Sequence, residues 1–245
     1  MRDSCCIVMA AGLGKRMGRA VPKVLLELEG RPLVAYVVEA AYEAGLAQVV
    51  VVVGHGRDRV RDALAAHPVD FAVQEEQRGT AHAVMLALPA VSPGTRLVVT
   101  MSGDSPLVKA STLKGLLARH GEAGNAATVL TAEVPDPAGY GRIIRDREGA
   151  LSAIVEDKDC DESRKSIREI NSSVYCFQHA PLVHALSLVR DNNVQGEYYL
   201  TDVIGILRRG GFRVGAHPAE DWREVLGVNR PEELERVKAA IEGMM

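Results

Sequence analysis

Along its first half the chain alternates short apolar runs, rich in β-branched residues, with longer stretches in which apolar positions recur every three or four residues. The short runs, at 5–9, 49–53, 71–74, 97–101 and 127–132, have the length and composition of buried strands, and the longer ones, at 32–44, 58–66, 80–88 and 110–119, predict helices. Strands and helices taken in turn make βαβ units, so the pattern predicts an α/β fold: a mixed, mainly parallel sheet flanked by helices. After Glu133 the alternation loosens. Pro135-Asp136-Pro137 marks a turn, and short segments at 141–145, 151–156 and 174–177 predict a small added sheet layer. Helices are expected at 181–190, 199–208 and 231–242, the last opening on Pro231. The charge-dense stretch 158–168 predicts a solvated loop or helix. There is no repeat, low-complexity tract or long linker, so a single domain is expected, with lobes 1–134 and 135–230 and a C-terminal helix in 231–245.

Composition removes several classes of function. Lys and Arg number 29 against 32 Asp and Glu, a net charge of -3, and aromatic residues make up only 4%. A nucleic-acid binder would carry a basic excess or face and a stacking surface, so no nucleic-acid partner is expected. No apolar run nears the roughly 20 residues that cross a bilayer, and no membrane partner is expected. The N-terminus runs straight into a strand, without the apolar core and cleavage site of a secretory signal, so the expected location is cytoplasmic. Cys5, Cys6, Cys160 and Cys176 lack metal-ligand spacing, and neighbours on a strand face opposite ways. Reduced, buried thiols are expected.

The first strand leads into Ala10-Ala11-Gly12-Leu13-Gly14-Lys15-Arg16-Met17-Gly18, a turn of small residues whose backbone N–H groups can approach a ligand closely. It fits neither common phosphate-loop pattern: Met17 stands where the dinucleotide fingerprint has Gly or Ala, and the Walker spacing is absent. It offers instead Lys15 and Arg16, with Lys23 just after Pro22, a concentration of positive charge suited to a triphosphate. Taken alone, each candidate has a plainer reading. The loop is then a glycine turn with solvated cations, Asp104 a turn residue before Pro106, Asn229 a helix cap before Pro231, and Glu156 part of a solvated charge run. His55, His82 and His217 form no ligand pair at helical spacing and are left unassigned.

Several segments together change that balance. The loop followed by Pro22-Lys23-Val24-Leu25 resembles the signature of sugar-nucleotide pyrophosphorylases, in particular the uridylyltransferase domain of bifunctional N-acetylglucosamine-1-phosphate uridylyltransferases. Gln74-Glu75-x-Gln77-x-Gly79-Thr80-Ala81-His82-Ala83, Ser102-Gly103-Asp104-Ser105-Pro106, Tyr140-Gly141-Arg142-Ile143, Ile154-Val155-Glu156-x-Lys158-Asp159 and Glu169-Ile170-Asn171 resemble further motifs of that family, as do Gly196-Glu197-Tyr198-Tyr199-Leu200-Thr201-Asp202 and Gly227-Val228-Asn229. They occur in the family's order along nearly the whole chain.

The resemblance implies a Rossmann-like fold of the nucleotide-diphospho-sugar transferase type with a smaller sugar-binding β lobe. It implies that UTP and a sugar 1-phosphate, N-acetylglucosamine 1-phosphate as the first choice, are joined with release of pyrophosphate. Ala10, Ala11, Gly12, Gly14 and Lys15 would cradle the phosphates, and Gln74, Gly79 and Thr80 would read the uracil edge. Arg16 and Lys23 would neutralise charge at the reacting centre, and Mg2+ would sit on Asp104 and Asn229. Gly103, Gly141, Glu156, Asn171, Tyr199 and Thr201 would form the sugar site. An attacking sugar phosphate is already an anion, so charge neutralisation is the main task and no nucleophile motif is required.

Two departures stand out: Ser173 occupies a position where the family usually has Gly, and Lys15 one where a small polar residue is more usual. The chain also ends at Met245 without the hexapeptide repeats of an acetyltransferase, so acetyl transfer and the trimer that goes with it are not expected. The alternatives are the same chemistry with GTP, CTP or dTTP, and a nucleotide-sugar-binding module without turnover. A third, an oxidoreductase using the glycine turn for NAD, is disfavoured by Met17.

Overall fold

The protein is described here from a computed structural model covering residues 3–12, 21–228 and 231–242. Its strands are β1 (Ser4–Met9), β2 (Glu27–Leu28), β3 (Arg31–Pro32), β4 (Gln48–Val53), β5 (Asp70–Val73), β6 (Leu97–Ser102), β7 (Ala127–Glu133), β8 (Arg142–Arg145), β9 (Leu151–Val155), β10 (Glu169–Gln178) and β11 (Val214–Pro218). Its helices are α1 (Leu33–Glu43), α2 (Arg57–Ala63), α3 (Thr80–Ala87), α4 (Ala110–Ala123), α5 (Glu162–Lys165), α6 (His179–Leu188), α7 (Asp202–Arg209) and α8 (Pro231–Glu242).

The main sheet runs β11-β7-β10-β6-β1-β4-β5. All its strands are parallel except β10, which is antiparallel to both β7 and β6. The α/β, mainly parallel architecture read from the sequence is therefore the one observed.

Alternation along each strand divides the core. Cys6, Val8, Val49, Val51, Val99 and Met101 pack with α1 and α4 through Val34, Val38, Leu113 and Leu116 on one face. Cys5, Ile7, Val50, Val52 and Val98 pack with α3, α6 and α7 through Ala83, Val84, Leu182, Leu186, Val203 and Leu207 on the other. Because helices cover both faces, these strands are apolar throughout. Cys5 and Cys6 thus belong to opposite layers, and all four cysteines are free and buried. Burial pushes the Cys5 and Cys176 thiols up to about 12, which leaves them inert near neutral pH.

The second half differs from the expectation in two respects. The run at 174–177 is the end of a ten-residue strand, β10, which enters the middle of the main sheet instead of founding a separate layer. β8 pairs with β10, and β9 with β8, so the added strands extend the same sheet. The front of β10, Glu169 to Ser173, is polar and hid the strand from an apolar pattern. β11 was missed for a related reason, since Val214-Gly215-Ala216-His217-Pro218 is short of large apolar residues. The charged stretch holds a short 3-10 turn, Asp157–Asp159, and α5, capped where the Asp161 carboxylate accepts from the Arg164 N–H at 2.9 Å. No helix among the described residues is long and apolar enough to cross a membrane.

Candidate active site

Parallel strands end together, and the helix that follows each one turns back, so loops collect beyond the carboxyl edge of the sheet. Read along that edge, β5 ends at Gln74, β4 at Gly54, β1 at Ala10 to Gly12, and β6 at Gly103 and Asp104. Antiparallel β10 contributes its front, Asn171 to Ser173, to the same edge. Strands lie about 4.8 Å apart, so these five ends span about 19 Å in one row.

The centre of the row is an ion pair. Lys23 Nζ donates to Asp104 Oδ2, and the Ser102 hydroxyl donates to Asp104 Oδ1. The Asp104 side chain is 5% exposed and that of Lys23 20%, so the carboxylate is nearly out of water and the lysine side chain is largely covered. Gly103 N–H donates to Met9 O at 3.0 Å, and a Cβ on Gly103 would lie 3.2 to 3.4 Å from Val24, Met9 and Ala10. That close approach ties the β6 turn to the β1 turn, and Lys23 Cε lies near the open face of Gly12. On the far side the Val228 N–H donates to Asp104 O at 3.0 Å, which brings the 222–228 segment against the same turn.

A cavity of about 140 Å³ opens beside this pair, lined by Lys23, Asp104, Gly141, Glu156, Asn171 and Ser173 among others. A larger hollow of about 580 Å³, reaching Lys158, Gln195 and the α8 residues Glu233 and Arg236, shares its Gly139, Tyr140 and Glu156 wall. Glu156 accepts from the Thr201 hydroxyl at 3.1 Å. Burial holds its carboxyl above the usual range, and the Thr201 hydrogen bond opposes the shift. Thr201 is buried behind Glu156, and the Tyr199 hydroxyl accepts from Gln195 Nε2 at 2.8 Å. Burial pushes Tyr199 up to about 12. These two residues stand behind the cavity wall, not on it.

At the other end of the row Gln74 is buried. Its side-chain nitrogen lies 3.2 Å from Gly79 O and 3.0 Å from His82 Nδ1, so both amide protons are used and His82 accepts. Gln77 Nε2 donates to Gln74 O at 3.1 Å. Gly79 has φ +110°, and a Cβ there would fall 2.5 Å from Tyr198 O. The Thr80 hydroxyl accepts from the Leu200 N–H at 2.9 Å, and Ala81 N–H donates to Tyr198 O at 2.9 Å. The Gly79-Thr80 turn is therefore clamped to the 198–200 segment.

The structure thus brings Lys23, Asp104, Gly141, Glu156 and Asn171 to one cavity, with Gly12 and Gly103 in the adjoining turns and Ala10, Ala11, Gln74, Gly79 and Thr80 farther along the row. Gly14, Lys15, Arg16 and Asn229 lie outside the described residues. Sequence reasoning missed Ser102, which was quoted in a motif but given no role, and the buried Glu224. The Glu224 carboxylate takes a hydrogen bond from the Thr112 hydroxyl and lies 3.2 Å from Lys109 Nζ, anchoring the 222–228 segment to α4. Nothing local marks Glu224: its partners are more than 100 residues away.

Residues 6–172 match the family described as the MobA-like NTP transferase domain. "Bifunctional protein GlmU" of Heliobacterium modesticaldum is 46% identical over 242 residues, 99% of this chain and 53% of the relative. The protein of the same name from Streptomyces coelicolor is 52% identical over 238 residues, 96% of this chain and 49% of the relative. The chain thus spans about half the length of the curated relatives it matches. Among solved structures, a nucleotidyl transferase from Methanothermobacter thermautotroptrophicus superposes with a TM-score of 0.70 over the full length of both chains at 19% identity, a likeness of fold.

Proposed function

Because the chain belongs to the MobA-like NTP transferase domain family, we propose that it is a uridylyltransferase: it joins UTP to a sugar 1-phosphate, N-acetylglucosamine 1-phosphate foremost, and releases pyrophosphate. The observation that carries this reading is the Lys23–Asp104 pair at the middle of the strand-end row, with a small polar cavity on one side and the Gln74 turn on the other. That order matches a nucleotide laid along the sheet edge, with its base toward β5, its phosphates over β1 and β6, and the sugar phosphate against β10.

Each station has a chemical argument. Gln74 spends its amide protons internally, and no described residue donates to its Oε1. The slot therefore offers an acceptor, which suits the N3–H of uracil and opposes the acceptor N3 of cytosine. Lys23 and the backbone donors near Gly12 would neutralise the phosphates. The attacking phosphate oxygen is already anionic, so no side chain has to remove a proton, and in-line attack at the α-phosphorus needs charge compensation and alignment. Glu156, oriented by Thr201, would accept from a sugar hydroxyl. Asn171, whose Oδ1 accepts from the Ser173 N–H at 3.0 Å and whose side chain also hydrogen-bonds Tyr175, is held in place on the cavity wall, where its amide would face the acceptor.

The family implies a divalent metal, and the donor set here suits Mg2+. Asp104 supplies hard carboxylate oxygens, and no group of three His, Cys, Asp or Glu residues gathers among the described residues. An ion that keeps most of its waters and takes phosphate oxygens fits such a sparse site. Asp104 would hold it, with Asn229, the neighbour of Val228, as second ligand. When bound, it would supply positive charge to the phosphates. On this reading 1–134 is the nucleotide-binding part and 135–230 the acceptor-binding part of a single unit, and the substrates are small molecules.

A panel of UTP, dTTP, GTP and CTP with several sugar 1-phosphates, scored for pyrophosphate with magnesium and with EDTA, tests the proposal. UTP with a hexosamine phosphate should be fastest. Equal rates with all four nucleotides would defeat the uracil reading, and silence with every pair would leave a binding module.

A further inference from the structure

Ser173 is one of two non-glycine residues with positive φ among the described residues, at +64°. The other, Glu29, is in the tight β2–β3 turn beside Gly30. A side chain in this left-handed region costs about 1–2 kcal/mol relative to glycine, so a serine kept there calls for an explanation. Ser173 sits at a break in register. Asn171 pairs with Thr131 and Tyr175 with Val129, so β10 carries three residues between these pairs where β7 carries one. The bulge is fixed by three hydrogen bonds: Ser173 N–H to Asn171 Oδ1 at 3.0 Å, the Ser172 hydroxyl to Leu130 O at 2.7 Å, and Val174 N–H to Ser172 Oγ at 3.2 Å. None of them uses the Ser173 side chain. Its neighbours Asn171, Ser172 and Val174 are buried, while Ser173 is partly exposed and lines the cavity that holds Lys23, Asp104 and Glu156.

We propose that the Ser173 hydroxyl is a specificity-determining contact to the sugar 1-phosphate, for which the bulge holds an unfavourable backbone conformation. Strained non-glycine residues persist where surrounding structure enforces them, and they cluster in ligand sites. A glycine would satisfy the bulge equally well, and only the hydroxyl would be lost. The inference rests on the reading of this cavity as the acceptor site.

Two variants separate the hydroxyl from the backbone. Ser173→Ala keeps the strain and removes the hydroxyl, whereas Ser173→Gly removes both. In steady-state assays both should raise KM for the sugar phosphate about fivefold, the worth of one hydrogen bond, while KM for the nucleotide stays within twofold. Thermal melts should show Ser173→Gly above Ser173→Ala by a few degrees, about what relief of the left-handed strain gives in a chain of this size. If the wild type turns over and both variants keep its KM for the sugar phosphate, this inference falls while the proposed function stands. If the wild type is silent with every substrate pair, the functional reading falls and takes this one with it.

Discussion

Replacing Lys23 by Met keeps the aliphatic stem beside Gly12 and removes the ammonium opposite Asp104. Breaking a buried pair by removing one partner costs about 3–5 kcal/mol, and an exposed pair is worth about 0–1 kcal/mol. With Asp104 at 5% side-chain exposure and Lys23 at 20%, the expected loss lies between, at about 2 kcal/mol. In a chain of this length that lowers Tm by roughly 4–8 °C. Most of the loss is the cost of a stranded Asp104 carboxylate. The double variant Lys23→Met/Asp104→Asn should therefore melt well above Lys23→Met alone, since removing both charges removes the desolvation problem. Turnover should follow the opposite course. Losing one charge-stabilising donor costs about 10²–10³ in kcat, and the double variant, lacking the proposed metal carboxylate too, should recover none of it. Calorimetric melts and pyrophosphate release on the four proteins of the cycle give both numbers. A double variant that melts no higher than Lys23→Met refutes the electrostatic argument, and Lys23→Met turnover within tenfold of wild type refutes the phosphate-site argument.

Two further outcomes follow from particular positions. His120 is 2% exposed, and burial lowers its pKa from 6.5 to about 4. The folded state then stays neutral at pH values where the unfolded chain takes up a proton. Its contribution is whole above pH 6.5 and lost as the pH falls toward 4, by about 2 kcal/mol at pH 5 and about 3 at pH 4. His120→Gln should flatten the dependence of Tm on pH over that window, and an unchanged slope would show that other groups control it. Gly79→Ala, with φ +110° and a Cβ 2.5 Å from Tyr198 O, should destabilise by at least about 2 kcal/mol. It should also raise KM for UTP more than for the sugar phosphate, and the reverse ranking would count against a base-reading turn.

What the sequence determined alone was everything carried by short-range pattern. The apolar periods of 49–53, 97–101 and 32–44 specified β4, β6 and α1 because each repeats within one element. The cations and small residues after β1, and the Gln74 and Asp104 turns, were legible as candidate chemistry because the loops are contiguous in the chain. Tertiary structure alone decided how those loops meet. It set β10 between β7 and β6, and so set Asn171 and Ser173 beside Asp104, some 70 residues distant in the chain, through ladder pairings that leave no periodic trace in a polar segment. It likewise gave Glu224 its partners on α4 and gave Ser173 its left-handed backbone. Periodicity records which face of an element is buried, whereas the identity of the neighbour across that face depends on pairings between distant segments, which exist only once the chain has closed on itself.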